Sequence, residues 1–144
     1  MELQSVLYVS RSNIDFPKKA YLVGDLVRWS VSWNRRVGIT GALAFTETHF
    51  SQYIEGPPQA ISELVSKILC DDRHCNVDVI RIATTVDRTF QDWSLAFSGP
   101  DVFTGDYLRP LIERDLEDKA FTDQLADNWI RFLKEMAAAT QTHI

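Results

Sequence analysis

The chain predicts an α+β fold of ferredoxin-like type, a βαββαββ sheet with two helices on one face and two C-terminal helices on the other. Three observations carry that prediction. Residues 39–45 and 50–55 alternate in polarity on either side of Thr46-Glu47-Thr48-His49, as the arms of a hairpin do. Ala60, Ile61, Leu64, Val65, Ile68 and Leu69 trace an i, i+3, i+4 stripe, the mark of a helix with one buried face. The break Ser98-Gly99-Pro100-Asp101 then separates this mixed stretch from a purely helical tail.

Each element follows in order. Leu3 to Ser10, rich in Leu, Val and Tyr and closed by Arg11-Ser12-Asn13, reads as the first strand. Pro17 opens a helix to about Trp33, in which Leu22, Leu26, Trp29 and Trp33 recur at helical spacing, with Asn34 near its end. Ile39, Gly41, Leu43 and Phe45 alternate with Thr40, Ala42 and Ala44 in strand two, and strand three runs from Phe50 to Glu55. Gly56-Pro57-Pro58 breaks the sheet and starts the second helix. Strand four is expected from about Asn76 to Val86. After Asp87-Arg88-Thr89, a fifth strand should place Trp93, Leu95 and Phe97 on one face. In the tail, Pro110 suggests the first turn of one helix, and a longer helix carries Leu125, Trp129, Phe132, Leu133 and Met136 on one side. Both should lie under the sheet, so the chain divides into a mixed, sheet-bearing part, 1–98, and a docked helical extension, 99–144.

Composition narrows the function classes. A length of 144 residues, 45% hydrophobic and 24% charged, describes one globular unit. The net charge of −5 provides no general basic field for a nucleic-acid backbone. No apolar run reaches membrane-spanning length, and Met1-Glu2-Leu3 begins no secretory leader, so a cytoplasmic protein is the simplest expectation. The two cysteines, Cys70 and Cys75, form with His74 a cluster too compressed for usual structural zinc spacings, and no metal is expected. Neither a phosphate-loop motif nor G-x-G-x-x-G occurs, and no nucleophile–base arrangement is visible.

Strand parity gives the most informative local fact. Gln52 shares its face with Phe50 and Ile54, while Ser51, Tyr53 and Glu55 point the other way. A carboxamide among core side chains is costly unless its donors and acceptor find partners. The plain reading is a Gln at a sheet edge or bonded to nearby backbone. Tyr8 is a candidate partner, since a phenol donates to an amide oxygen while its ring stays in the core, but it is equally an ordinary core tyrosine. Asn34 closes the first helix, where asparagine is common simply because it tolerates left-handed backbone angles.

Four separated segments then agree with one pattern: Leu7-Tyr8-Val9-Ser10-Arg11, Asn34 followed by Gly38-Ile39-Thr40-Gly41, Phe50-Ser51-Gln52-Tyr53-Ile54-Glu55-Gly56, and Asp71-Asp72-Arg73-His74. In that order and spacing the chain resembles the BLUF family of blue-light photoreceptors from about Leu3 to Phe97. The resemblance implies a non-covalently bound flavin, with FAD usual and FMN or riboflavin possible, and a photoreceptor rather than an enzyme. It makes Tyr8 the donor of an electron and a proton to the excited flavin, and Gln52 the amide that then rotates or tautomerises. Asn34 would bind the polar edge of the ring, with Leu26, Ser30, Ile39 and Phe50 around it. Lys67, Asp71, Arg73 and His74 would lie along the ribityl and phosphate side. In the fifth strand Trp93 matches the family's Trp-Ser-Met, but Leu95 stands where the methionine belongs and has no thioether, so the relay out of Gln52 is expected to differ here.

Two other classes remain in view. A ferredoxin-like enzyme of acylphosphatase type would use Arg36 and Asn34 on phosphate. A cofactor-free interaction domain would let Tyr8 and Gln52 satisfy each other. Within the resemblance, the signal must leave through an unidentified downstream protein or a homodimer. The tail is the expected surface, because Trp129, Phe132 and Met136 exceed what a solvated helix needs.

Overall fold

The computed structural model describes residues 2–141. Its elements are β1 (Leu3–Ser12), α1 (Tyr21–Val37), β2 (Thr40–Phe45), β3 (His49–Gly56), α2 (Pro58–Leu69), β4 (His74–Thr85), β5 (Ala96–Ser98), α3 (Val102–Ile112) and α4 (Lys119–Gln141). The five strands lie in the order β4-β1-β3-β2-β5. Every pairing is antiparallel except β2 with β5. This is the α+β architecture expected from the sequence, with the hairpin at residues 46–48 and both tail helices docked.

The sheet buries both faces, and the two are built differently. Beneath α3 and α4, one continuous cluster joins Leu7, Val9, Ala42, Ala44 and Tyr53 of the sheet to Leu108, Leu111, Ala126, Trp129 and Leu133. On the face of α1 and α2 the apolar residues form two separate clusters. One gathers Phe45, Phe50, Leu43 and Leu95 under the early part of α1, and the other gathers Val6, Ile39, Ile54, Ile61 and Leu64 under α2. Along β3, Phe50 belongs to the first and Ile54 to the second, so Gln52 sits at the seam between them.

The start of α1 differs from the expectation. Residues from Pro17 to Ala20 form turns closed by bonds such as Ala20 N–H to Pro17 O (3.1 Å) and Val23 N–H to Ala20 O (3.0 Å), so the regular helix begins four residues late at Tyr21. It ends where Gly38, at φ 81°, takes the left-handed conformation and returns its N–H to Asn34 O. Strand four begins slightly earlier and stops slightly sooner than expected.

The fifth strand is only three residues long, and the parity predicted for it fails. A turn closed by Trp93 N–H to Phe90 O (3.1 Å) precedes it, so side chains do not alternate from Trp93 onward. Leu95 and Phe97 pack on the α1 side, whereas Trp93 packs on the opposite side with Phe90. The cause is a buried carboxylate. Glu55, 0% exposed, accepts from the backbone N–H groups of Thr89 (2.8 Å) and Phe90 (2.6 Å) and from the hydroxyls of Thr40 and Tyr53. Arg88 adds bonds to Gly38 O and the Thr40 hydroxyl. These contacts hold the connection after β4 across the sheet end and leave room for only the short β5.

In the tail, Pro110 lies near the C-terminal end of α3, not in its first turn. The start is set by Asp101, whose carboxylate accepts from Thr104 N–H at 2.8 Å. The last three residues of the expected extension lie outside the described residues. Trp129 and Phe132, expected to furnish an outward surface, are buried at 1% and 8% exposure because α4 turns them toward the sheet. Tyr107, Leu116 and Phe121 are exposed instead.

Candidate functional site

Between α1 and α2, over the middle of the sheet, lies a cleft of about 500 Å³, within the ~300–1,000 Å³ usual for small-molecule sites. It opens where the two apolar clusters fail to meet. Tyr8, Leu43, Phe50 and Gln52 form its floor, Leu26, Trp29 and Ser30 one wall, and Leu64, Lys67 and Ile68 the other. Asp71, Arg73 and His74 close the end nearest α2.

The floor is polar at its centre for a reason of register. Tyr8 of β1 stands directly opposite Gln52 of β3, and the Tyr8 hydroxyl donates to Gln52 Oε1 at 2.7 Å. Among the described residues the Gln52 amide nitrogen has no protein acceptor. Burial, reinforced by the negative charge of Asp71, raises the Tyr8 phenol far above its ordinary pKa, so it stays a neutral donor.

His74 fixes the end of the floor. Its Nε2 meets Ile68 O at 2.7 Å and its Nδ1 meets Ser10 Oγ at 2.6 Å. A carbonyl can only accept, so Nε2 carries a proton. The ring stands edge-on to both Tyr8 and Phe50. Beside it, Arg73 grips Asp71 through Nε (2.9 Å) and Nη2 (2.6 Å). Burial pushes the Asp71 carboxyl up, but the hydrogen bonds and charge of Arg73 more than reverse this and leave it below its ordinary value. Lys67 has no carboxylate partner among the described residues; its ammonium lies 4.8 Å from the Trp33 ring centre.

Nine residues expected at the site therefore converge: Tyr8, Leu26, Ser30, Phe50, Gln52, Lys67, Asp71, Arg73 and His74. Four do not line the cleft. Ile39 is packed among Val6, Ile54 and Ile61, and Leu95 behind Phe50. Trp93 faces the tail helices. Asn34, one helical turn beyond Ser30, is 0% exposed; its Nδ2 donates to Ser94 O at 2.9 Å, and its Oδ1 is buried with no partner. Arg36 is exposed and lies over Trp33, so it forms no phosphate-binding pair with buried Asn34, and the acylphosphatase-type arrangement is absent. Asp25, Trp29, Leu43, Leu64 and Ile68 line the cleft without having been singled out. Helical periodicity had placed most of them on inward stripes, but a stripe does not say where two helices part.

An α+β sheet with a tyrosine–carboxamide pair beneath a cleft of small-molecule size is the layout of a ligand-binding domain. Residues 3–96 match the family model described as BLUF, sensors of blue-light using FAD, and the chain belongs to this family. Domains of the family bind flavin and are photosensors rather than enzymes. The dark-state structure of BlrB, a BLUF protein, is 31% identical, with a TM-score of 0.71 over 96% of this chain and 97% of that one. BlsA in its photo-activated state has a TM-score of 0.76 at 19% identity, covering 93% and 95%, a likeness of fold. Photoactivated adenylate cyclase subunit beta of Euglena gracilis is 28% identical over 71% of this chain, which spans about 12% of that relative's length.

The residues present fit a flavin. The unpaired Gln52 nitrogen and the orphaned Asn34 oxygen are a donor and an acceptor waiting on one side of the sheet, and Lys67 is a cation available to phosphate. Among the described residues no helix is long and apolar enough to cross a membrane.

Proposed function

We propose that the chain is a blue-light photoreceptor that carries FAD in this cleft and signals by electron and proton donation from Tyr8 followed by rearrangement of the Gln52 amide. The observation that carries this reading is the bond from Tyr8 to Gln52 Oε1 between two residues that both line the cleft. The flavin supplies blue absorption and, when excited, an acceptor for the electron.

The protein's part follows from hydrogen-bond bookkeeping. In this structure the neutral Tyr8 phenol donates to Gln52 and so holds Oε1 toward it, while its own oxygen keeps the capacity to accept from the amide nitrogen in a second arrangement. Transient loss of that donor frees the amide to exchange its nearly isosteric ends. Rotation would turn the nitrogen toward Tyr8 and the oxygen toward the ring; tautomerisation would change the same donors without turning. Either rearrangement gives a second set of partners in one cavity, which is the bistability a switch needs.

Ser30 offers a hydroxyl to the polar ring edge from the cleft wall, and Asn34, one helical turn further along α1 and outside the cleft lining, holds an unpartnered Oδ1 that favours an N–H from that direction. Lys67 supports phosphate binding, with Asp71 accepting from ribityl hydroxyls and Arg73 and His74 shaping that end. In this reading 1–98 is the sensor and 99–144 its docked output element, delivering the signal to a second copy of the chain or to a downstream protein. The light-driven cyclases that match the sensor region support light as the input.

The test is an absorption spectrum of purified protein before and after blue light. Bound oxidised flavin and a reversible red shift are expected. A colourless protein that takes up no flavin overturns the reading, as does a flavin spectrum unchanged by light.

A further inference from the structure

Gln52 faces the cleft, but its neighbour Ser51 faces the opposite side, where α4 lies. The Ser51 hydroxyl donates to the backbone carbonyl of Tyr8 at 2.9 Å, and Trp129 Nε1–H donates to the same hydroxyl oxygen at 2.9 Å. All three residues are almost fully buried, Ser51 at 0%, Trp129 at 1% and Tyr8 at 5% exposure. One small side chain thus joins the strand positions of Tyr8 and Gln52 to the tail helix through the thickness of the sheet.

We propose that Ser51 and Trp129 are positioning residues that form a through-sheet strut, carrying the rearrangement at Tyr8 and Gln52 into α4. This rests on the photoreceptor reading above and adds the route by which its signal leaves.

The geometry favours transmission here for three reasons. The hydroxyl spends its one proton on Tyr8 and receives the indole proton, so a shift of Ser51 relative to Tyr8 cannot be absorbed without weakening one bond. Beside Tyr8 the β1–β4 ladder slips in register between Leu7 and Tyr8, so β1 is less rigidly tied to β4 at that point. Trp129 is packed between Phe132, stacked 5.5 Å away, and the sheet core, so displacing its indole displaces its helix. Trp93, the residue expected to relay the change, does not line the cleft.

The test uses the flavin-loaded full chain with ¹⁵N-labelled tryptophan, observed by NMR in the dark and under blue light. The chain has four tryptophans, and Trp129→Phe identifies the Trp129 indole N–H signal. In the unmodified protein that signal should move on illumination. In Ser51→Ala the visible red shift should persist, while the light-induced displacement of the Trp129 signal is largely lost. Equal displacement with and without the Ser51 hydroxyl overturns the strut, and so does a red shift that leaves the Trp129 signal in place. Absence of any red shift in the unmodified protein overturns the photoreceptor reading itself.

Should Ser51→Ala fail to fold, Trp129→Phe keeps the apolar bulk and removes the donor. Its red shift should be retained and its return to the dark state altered about twofold or more, the low end of what one hydrogen bond is worth. An unchanged return time overturns the proposal.

Discussion

The Tyr8 hydroxyl lies 2.7 Å from Oε1 of Gln52, across two strands whose register sets these residues directly opposite each other. No loop intervenes, so the distance between the two groups is set by the sheet itself.

Removing either partner should therefore abolish switching without emptying the cleft. Tyr8→Phe leaves a buried amide oxygen without its donor, at a cost of about 1–3 kcal/mol in stability. Flavin should remain bound, and the light-induced red shift should vanish. Gln52→Leu should also lose the shift; it leaves the buried Tyr8 hydroxyl without its acceptor, at a similar cost of about 1–3 kcal/mol that the leucine's packing against the flanking apolar clusters partly offsets. Difference spectra and thermal melts of both variants check this.

Lys67 should discriminate among flavins by their phosphates. Lys67→Ala is expected to weaken FAD and FMN binding about tenfold, as loss of a charge-assisted contact at a partly solvated site would. Riboflavin, which has no phosphate, should bind as before. Titration of flavin-stripped protein with the three ligands measures the difference.

The folded state should lose stability at high pH. Tyr8 is raised by burial and by Asp71, and Tyr53 is raised by burial and by Glu55. A phenol whose folded pKa exceeds its unfolded value keeps its proton longer when folded. Its contribution is complete below the ordinary phenol value of about 10 and is lost as pH rises through the higher folded value. Chemical denaturation at successive pH values should show a decline beginning near pH 10, and Tyr8→Phe should make that decline shallower.

Glu55→Ala should be among the most damaging substitutions outside the cleft. It strands the buried N–H of Phe90 and the partly buried N–H of Thr89, and the expected loss is above about 2 kcal/mol. The turn that carries Trp93 and Leu95 should loosen with it. Faster amide exchange at residues 88–95 is the specific signature, separable from a general fall in melting temperature.

Much of this was legible in the sequence because it follows from period and parity. Alternation in β2 and β3 gave the hairpin, and the same alternation put Gln52 on the buried face beside Phe50. Family resemblance then points to a set of site residues, nine of which do meet at one cleft, six of them from three of the four matching segments. The failures have a common cause. Trp93 was assigned a side by extending strand parity through residues that Glu55 bends out of register, and nothing local to Trp93 reports a carboxylate distant in sequence. Pro110 was read as a helix start when Asp101 was already capping that helix. Trp129 and Phe132 were read as surplus to a solvated helix, but they were matched to the underside of the sheet.

The gap between the two apolar clusters of the helical face has a consequence for supply. With the cleft empty, the two clusters do not meet across its middle; a ligand seated between them completes a layer that side chains leave unfinished. By mass action, such a ligand stabilises the folded chain in proportion to the logarithm of its free concentration. Cells short of the pigment would then hold less of this protein, not merely a blind form of it, because the unfilled chain unfolds more often and is cleared.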